Sequence, residues 1–222
     1  MGGSGRTPTS RPVAGRTRAI SCAITSRWKR SLHVDSFLRE AADIAGKIDR
    51  QAVDNIAADL FQLRHRQGRL FLVGLGGSAA NCSHAAADFR RLCDIAAFTP
   101  TDNVAEFSAR VNDDGWPQAF SWWLKSMSAG RNDLLMVLSV GGGTEEVSQP
   151  ITQAVRWANQ RGIRVVGIVG HDGGYTHRLG DLVVRIPQVN AKHVTPHTEA
   201  FQAVLWHCLV SHPVLQKAAT KW

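Results

Sequence analysis

Four cysteines in 222 residues, none in a C-x-x-C pair, leave no disulfide framework and fit a reducing compartment. No apolar run reaches the roughly 18 residues that a membrane span requires, and no continuous apolar stretch marks a secretory signal. Internal repeats are missing too. These absences argue against a stapled secreted domain, a membrane protein and a repeat array, and make the cytoplasm the expected location. Acid is also missing from residues 1–34, which hold seven basic groups (Arg6, Arg11, Arg16, Arg18, Arg27, Lys29, Arg30). Beyond them nineteen basic groups face eighteen acidic ones, so the net charge of +8 belongs almost wholly to this tail. A near-neutral body removes the charge argument for a nucleic-acid partner, and the tail has no interleaved aromatics on which bases would stack. Rich in Gly, Ser, Thr and Arg, the tail is expected to be disordered to at least about Ser21. Its composition is like that of an organelle transit peptide, although a plain extension is the simpler reading. The expected organisation is a basic extension over 1–30 and one domain over 31–222.

What is present is an alternation. Apolar residues at helical spacing (Phe37, Ala41, Ile44, Ile48, then Val53, Ile56, Leu60, Leu63) predict a helical hairpin or a long broken helix over about 34–67. Short runs rich in Val, Ile, Leu and Phe predict strands near 69–74, 95–99, 133–139, 163–169 and 181–186. Helical patterns separate them near 78–93, 115–129, 144–161 and 196–211, with Pro117 and Pro196 in first turns. Strands alternating with helices predict a parallel sheet covered on both faces, a three-layer αβα architecture. Ligands of such sheets bind beyond the carboxyl ends of the strands.

Two predicted strands end there in glycine-rich turns, Gly74-Leu-Gly-Gly-Ser78 and Ser139-Val-Gly-Gly-Gly-Thr144. Glycine lets the backbone approach a ligand closely, and a following helix N-terminus offers free N–H groups to an anion. Gly76, Gly77, Ser78, Ser139 and Thr144 are therefore candidate phosphate-binding residues. His84 and Asp88 follow one helical turn apart, on one face, as a candidate acid/base pair beside that cradle. Alone, such a pair is commonly an i, i+4 surface contact; behind a glycine turn it points to chemistry on a phosphorylated small molecule. His207, on an otherwise apolar helix, has a satisfied core histidine as its alternative reading. Glu199 has a helix-dipole role as its alternative. Arg90 and Arg91 read as a solvated face or as substrate contacts, and Cys82 as a packing residue.

With these motifs in hand, the sequence resembles the sugar isomerase (SIS) domain family, and within it the sedoheptulose 7-phosphate (phosphoheptose) isomerases. The resemblance rests on Gly74–Ser78, His84-Ala-Ala-Ala-Asp88, Thr101-Asp102-Asn103, Asn112-Asp113, Ser139–Thr144, Gly170-His-Asp-Gly-Gly174 and Glu199–His207, in order from about 34 to 212. It implies a five-stranded parallel flavodoxin-like sheet and a homotetramer with sites at subunit interfaces. It also implies a zinc-assisted ketose-to-aldose isomerisation of a sugar phosphate that feeds nucleotide-activated heptose. On the same basis His84, Asp88, Glu199 and His207 are implied zinc ligands, with Asp88 and His207 also moving the proton. Ser78, Ser139 and Thr144 fall on phosphate-binding hydroxyls; Asp102, Asn112 and Asp113 fall on a substrate-side loop. Moving a carbonyl from C2 to C1 passes through an enediol, which requires a base beside the carbons and an electrophile at the developing oxyanion.

Three features depart from the family pattern. Asp88 stands where the family has glutamate, and is one methylene shorter. Val140, Gly141 and Gly143 replace polar residues of the phosphate loop, and Glu145 and Glu146 follow it; their expected place is facing solvent. Glu199 replaces a glutamine and lies eight residues before His207, about 12 Å of helix rise, so His193 or His197 are alternative ligands. These departures motivate a competing reading as a non-catalytic SIS module that binds a sugar phosphate as sensor or scaffold. Gly74-Leu-Gly-Gly-Ser-Ala79 also fits G-x-G-x-x-A, a nicotinamide-binding signature whose acidic partner would be Asp94; that residue precedes its strand rather than ending it.

Overall fold

In the computed structural model, which describes Gly2 and residues 32–220, five strands form one parallel sheet. They are β1 (Leu70–Val73), β2 (Ala97–Phe98), β3 (Leu134–Ser139), β4 (Arg164–Val169) and β5 (Leu182–Arg185), in the order β2-β1-β3-β4-β5. Every neighbouring pair is parallel, with Leu70 opposite Leu134 and Leu134 opposite Arg164. The expected basic, disordered extension falls on residues outside those described. The chain divides into a unit up to Glu40 and a unit from Ala41 onwards, and the whole sheet lies in the second.

The period-2 alternation of the strands sorts the core into two layers. Leu70, Leu72, Leu134, Met136, Leu138, Val166 and Ile168 join one apolar cluster, and Phe71, Val73, Leu135, Val137 and Val165 join the other. The first is covered by α2 (Arg50–His65), α3 (Gly77–Cys93) and α8 (Val194–Val210), through Ile56, Leu60, Leu63, Phe89, Trp206 and Leu209. The second is covered by α5 (Ala119–Ser126) and α6 (Gln149–Gln160), through Phe120, Trp123, Leu124, Ile151 and Val155. Strands buried on both faces explain why their sequences read as continuous apolar runs. The three-layer αβα expectation is met, and the strand order is that of flavodoxin-like folds, whose switch point lies between β1 and β3.

Beneath the opposite end of the sheet, Asp133 ties the start of β1 to the loop before β3. Its carboxylate accepts from the Arg69 amide at 2.9 Å, the Gly130 amide at 2.9 Å and Arg69 Nη2 at 2.8 Å. Burial pushes the Asp133 carboxyl up, but these hydrogen bonds outweigh it and hold the group below the usual range.

Several boundaries depart from the periodicity. The segment read as helical over 34–67 is broken at Ile48-Asp49 into α1 (His33–Lys47) and α2, where the Asp49 side chain accepts from the Ala52 amide and caps α2. The helix expected from 144 begins only at Gln149, because 144–148 form a loop of their own. The second glycine-rich turn thus does not run straight into its helix. Two helices were not legible: α4 (Val104–Asp113), which has no buried residue, and α7 (Gly174–Leu179), a turn and a half long. Helix α4 carries Val104, Phe107 and Val111 at helical spacing, and Phe107 packs half-buried against the second core cluster.

Candidate functional site

Helix α3 opens at the switch point, on Gly76 with φ 61°, whose carbonyl accepts from the amides of Ala79 and Ala80 at 3.0 and 3.2 Å. Leu75 and Ser78 from this turn, together with Ser139, Gly141, Gly143, Thr144 and Ser148 from the loop after β3, line a pocket of about 340 Å³. The second loop is shaped from behind. Gly142, at φ 68°, lies so close to the chain at Gly173 that a Cβ on it would be 1.9 Å from the Gly173 carbonyl oxygen. The Gly142 and Gly143 carbonyls accept from the amides of Thr176 and Tyr175 at 3.0 and 2.8 Å, and the Thr176 hydroxyl adds a bond to Gly142 at 2.8 Å.

Two hydroxyls expected on a phosphate line the pocket and also brace this loop. Ser139 Oγ accepts from the Gly142 amide at 3.0 Å, while Thr144 Oγ1 accepts from the amides of Glu146 and Val147 at 3.2 and 2.9 Å. Ser78 is buried in the pocket wall. Ser148 was missed by sequence reasoning. It precedes α6 with φ 57° and ψ 38°, a left-handed conformation uncommon for serine, and its side chain makes no capping bond. The signal that was available is Ser148-Gln-Pro150, a residue suited to a cap followed by proline in the first turn.

Further along α3, His84 and Asp88 meet His207 of α8. One ligand atom from each lies within 4.8 Å of the other two, and the His84 Nε2 to Asp88 Oδ2 distance is 3.6 Å. These three side chains line an open cleft of about 460 Å³ with Arg91, Leu92 and Ser211. His207 Nδ1 sits 2.8 Å from the Ala203 carbonyl oxygen, a contact that takes the proton on Nδ1 and leaves the Nε2 lone pair for a metal or a proton. Both rings pack on the fully buried indole of Trp206, with centroids at 3.5 Å for His207 and 4.6 Å for His84. The indole N–H points to Asn81 Oδ1 at 3.4 Å, and the Asn81 amide donates to the Glu199 carbonyl and to Gln202 Oε1 at 3.0 and 3.2 Å. One part-buried polar chain thus links the two helices that carry the cluster.

Glu199 stands apart from the three converging ligand atoms. Its carboxylate lies on the first turn of α3, where a Cβ on Gly77 would be 2.5 Å from Oε2. That is where a helix dipole favours negative charge. His193 and His197 line a different, narrow cleft with Ile44, Ile186 and Asn190. Asp102 closes a short 3-10 turn after β2. Asn112 and Asp113 end α4 rather than sitting on a loop, and the Asn112 amide donates to Asp113 at 2.7 Å. Arg90 is structural, its guanidinium bonded to the Ala97 carbonyl at 2.5 Å, while Arg91 reaches the cleft. Cys82 is fully buried, and burial, with Asp102 adding, pushes its thiol far up, so it stays protonated and inert. Asp94 caps the end of α3 in a left-handed conformation before β2, not at a strand end where a nicotinamide ribose would meet it.

No protein-family model matches the chain. Among curated proteins, it is 31% identical over 192 residues to the lincomycin biosynthesis protein LmbN of Streptomyces lincolnensis, an overlap of 81% of this chain and 68% of that protein. It is 31% identical over 158 residues to the phosphoheptose isomerase of Burkholderia pseudomallei strain 1710b, covering 68% of this chain and 76% of the relative. Among solved structures, the phosphoheptose isomerase GmhA of Neisseria gonorrhoeae superposes with a TM-score of 0.70 at 24% identity, covering 80% of this chain and 95% of that one.

Proposed function

The chain belongs to the phosphoheptose isomerase family of SIS-domain proteins, and from that premise we propose that it converts sedoheptulose 7-phosphate to a heptose 7-phosphate, for heptose biosynthesis. The observation that carries this reading is the meeting of His207 of α8 with His84 and Asp88 of α3, the helix whose N-terminus opens the switch-point pocket. Six residues separate Ser78 from His84, about 9 Å of helix rise, comparable to an extended sugar phosphate.

The phosphate takes the pocket between the two glycine-rich turns, held by backbone N–H groups and the N-terminus of α3. That anchoring fixes which carbons reach the cleft. There Asp88 and His207 share the proton transfer. A proton leaves C1, an enediol forms, and a proton returns at C2 as the O1 hydroxyl proton passes to O2, giving the aldehyde at C1. Two imidazoles and a carboxylate converging with a free His207 Nε2 suit zinc, so His84, Asp88 and His207 would hold the ion. Bound there, zinc supplies an electrophile for the developing oxyanion. Glu199, the fourth implied ligand, would have to leave its seat on Gly77 to join them. The proposed assembly is a homotetramer in the cytoplasm. Exposed Val104, Trp116 and Val204 offer apolar surface for subunit contacts, and among the described residues no helix is long and apolar enough to cross a membrane.

The test follows sedoheptulose 7-phosphate by NMR in deuterated water, with zinc-loaded wild type and His84→Ala. Aldose phosphate with deuterium at C2 is expected from the wild type alone. A folded, zinc-loaded wild type that leaves C5–C7 ketose phosphates unchanged would overturn the reading.

A further inference from the structure

The outer wall of the switch-point pocket, 144–148, is intrinsically soft. It follows three consecutive glycines and ends on Ser148 in a left-handed conformation. Thr144, Val147 and Ser148 of this wall line the pocket. Between them Glu145 points the other way. Arg156 Nη2 of α6 lies 2.5 Å from Glu145 Oε1, and the Tyr175 hydroxyl of α7 donates to the same oxygen. Arg156 Nη2 also reaches the Tyr175 oxygen at 2.9 Å. The Tyr175 ring carries two cations, Arg156 at 4.5 Å and Arg178 at 4.4 Å from its centroid. Finally, the Gln149 side chain donates to the Glu145 carbonyl at 2.7 Å.

These contacts answer a chemical problem. A carboxylate beside a phosphate pocket would repel a dianion, and a glycine-rich wall would lose entropy on closing around one. Pairing Glu145 outward with Arg156 and the Tyr175 phenol meets both difficulties. The Tyr175 bond, then Arg156, hold the Glu145 carboxyl below the usual range, so it stays ionised and engaged at neutral pH. Because Tyr175 also donates its amide to the Gly143 carbonyl, one residue grips the loop at both its glycine and its acidic stretch.

We propose that Glu145, Arg156 and Tyr175 form a latch that pre-organises the outer wall of the phosphate pocket, making them positioning residues for recognition of the phosphate. This rests on the reading of that pocket as the phosphate site. Isolated surface ion pairs contribute little; here the consequence is the shape of a loop rather than global stability.

The experiment compares wild type, Glu145→Gln, Arg156→Met and, as a control one residue away, Glu146→Gln. Three readouts are taken: hydrogen exchange of 141–148, affinity for inorganic phosphate by amide NMR, and steady-state kinetics on sedoheptulose 7-phosphate. In Glu145→Gln and Arg156→Met, exchange of 141–148 should quicken about tenfold and phosphate affinity fall about three- to tenfold. KM should rise by the same factor, with kcat within about twofold. Glu146→Gln should match wild type in all three. Unchanged exchange in both latch variants would overturn the latch, as would equal effects in the control. Exchange decides the matter whether or not the wild type turns over the sugar. Faster exchange with unchanged phosphate affinity overturns the role in recognition. Absence of turnover alone would count only against the isomerase reading.

Discussion

The cleft at His84, Asp88 and His207 and the pocket between the two glycine turns are built on opposite principles. The cleft is side-chain chemistry mounted on two stiff helices, with a buried Trp206 and Asn81 behind it. The pocket is backbone chemistry on loops, where the hydroxyls of Ser139 and Thr144 also accept amide bonds that brace the chain. A site of the first kind tolerates changes in its surroundings but not in its functional groups. A site of the second kind tolerates loss of a functional group and fails when a supporting contact is altered.

The contrast is broken most sharply at the cleft. His207→Ala and Asp88→Asn should each lower kcat by about 10²–10⁴, the range for removing a positioned acid or base, with the unfolding midpoint near wild type. A loss below threefold in both would leave the cleft without a catalytic role. At the pocket the largest effect should come from a residue with no functional group. Gly142→Ala places a Cβ onto the Gly173 carbonyl at φ 68°, which should cost about 2–4 kcal/mol in urea unfolding and abolish phosphate binding. A variant as stable as wild type would show that the loops are not clamped together.

Away from both sites, Asp133→Asn should cost about 2–3 kcal/mol. That is less than for a wholly buried pair, because the Arg69 side chain is 33% exposed. The folded-state pKa of Asp133 lies below its unfolded value, so its contribution is complete above about pH 4 and is lost as pH falls through the folded value. Stability profiles of wild type and Asp133→Asn should therefore converge in acid; parallel curves would contradict this. The smallest effect sharpens the comparison. Ser148→Gly should relieve left-handed strain and stabilise by about 0.5–1 kcal/mol while raising KM two- to fivefold. If stability and affinity moved together, Ser148 would be merely structural.

The same contrast explains what could be read from the chain. The succession of strands and helices, both glycine turns and the His84–Asp88 face were legible because periodicity and residue type carry them, while the flavodoxin-like sheet came with the resemblance. The joining of His207 to that face was accessible only through the resemblance, since nothing local ties α8 to α3. Glu145 faces outward as expected, but its partners, and the parts that Ser148 and Asn81 play in the site, were not legible. Asn81 and Glu145 take their meaning from contacts with Trp206 and Tyr175, distant in sequence, and Ser148 from its left-handed backbone at the pocket edge. Helix α4 was passed over although Phe107 packs half-buried on the core, and 144–148 were absorbed into a helix because Val147 fits a helical pattern as well as it fits a loop.

The seating of Glu199 on Gly77 carries a consequence for the history of the sequence. While the Glu199 carboxylate keeps its present seat, a Cβ at 77 displaces it; the two positions, far apart in the chain, are therefore coupled through the rotamer of residue 199. A relative bearing alanine at 77 should carry a shorter or redirected residue at 199. Among relatives that keep glycine there, exchange between glutamate and glutamine should be free of compensation elsewhere.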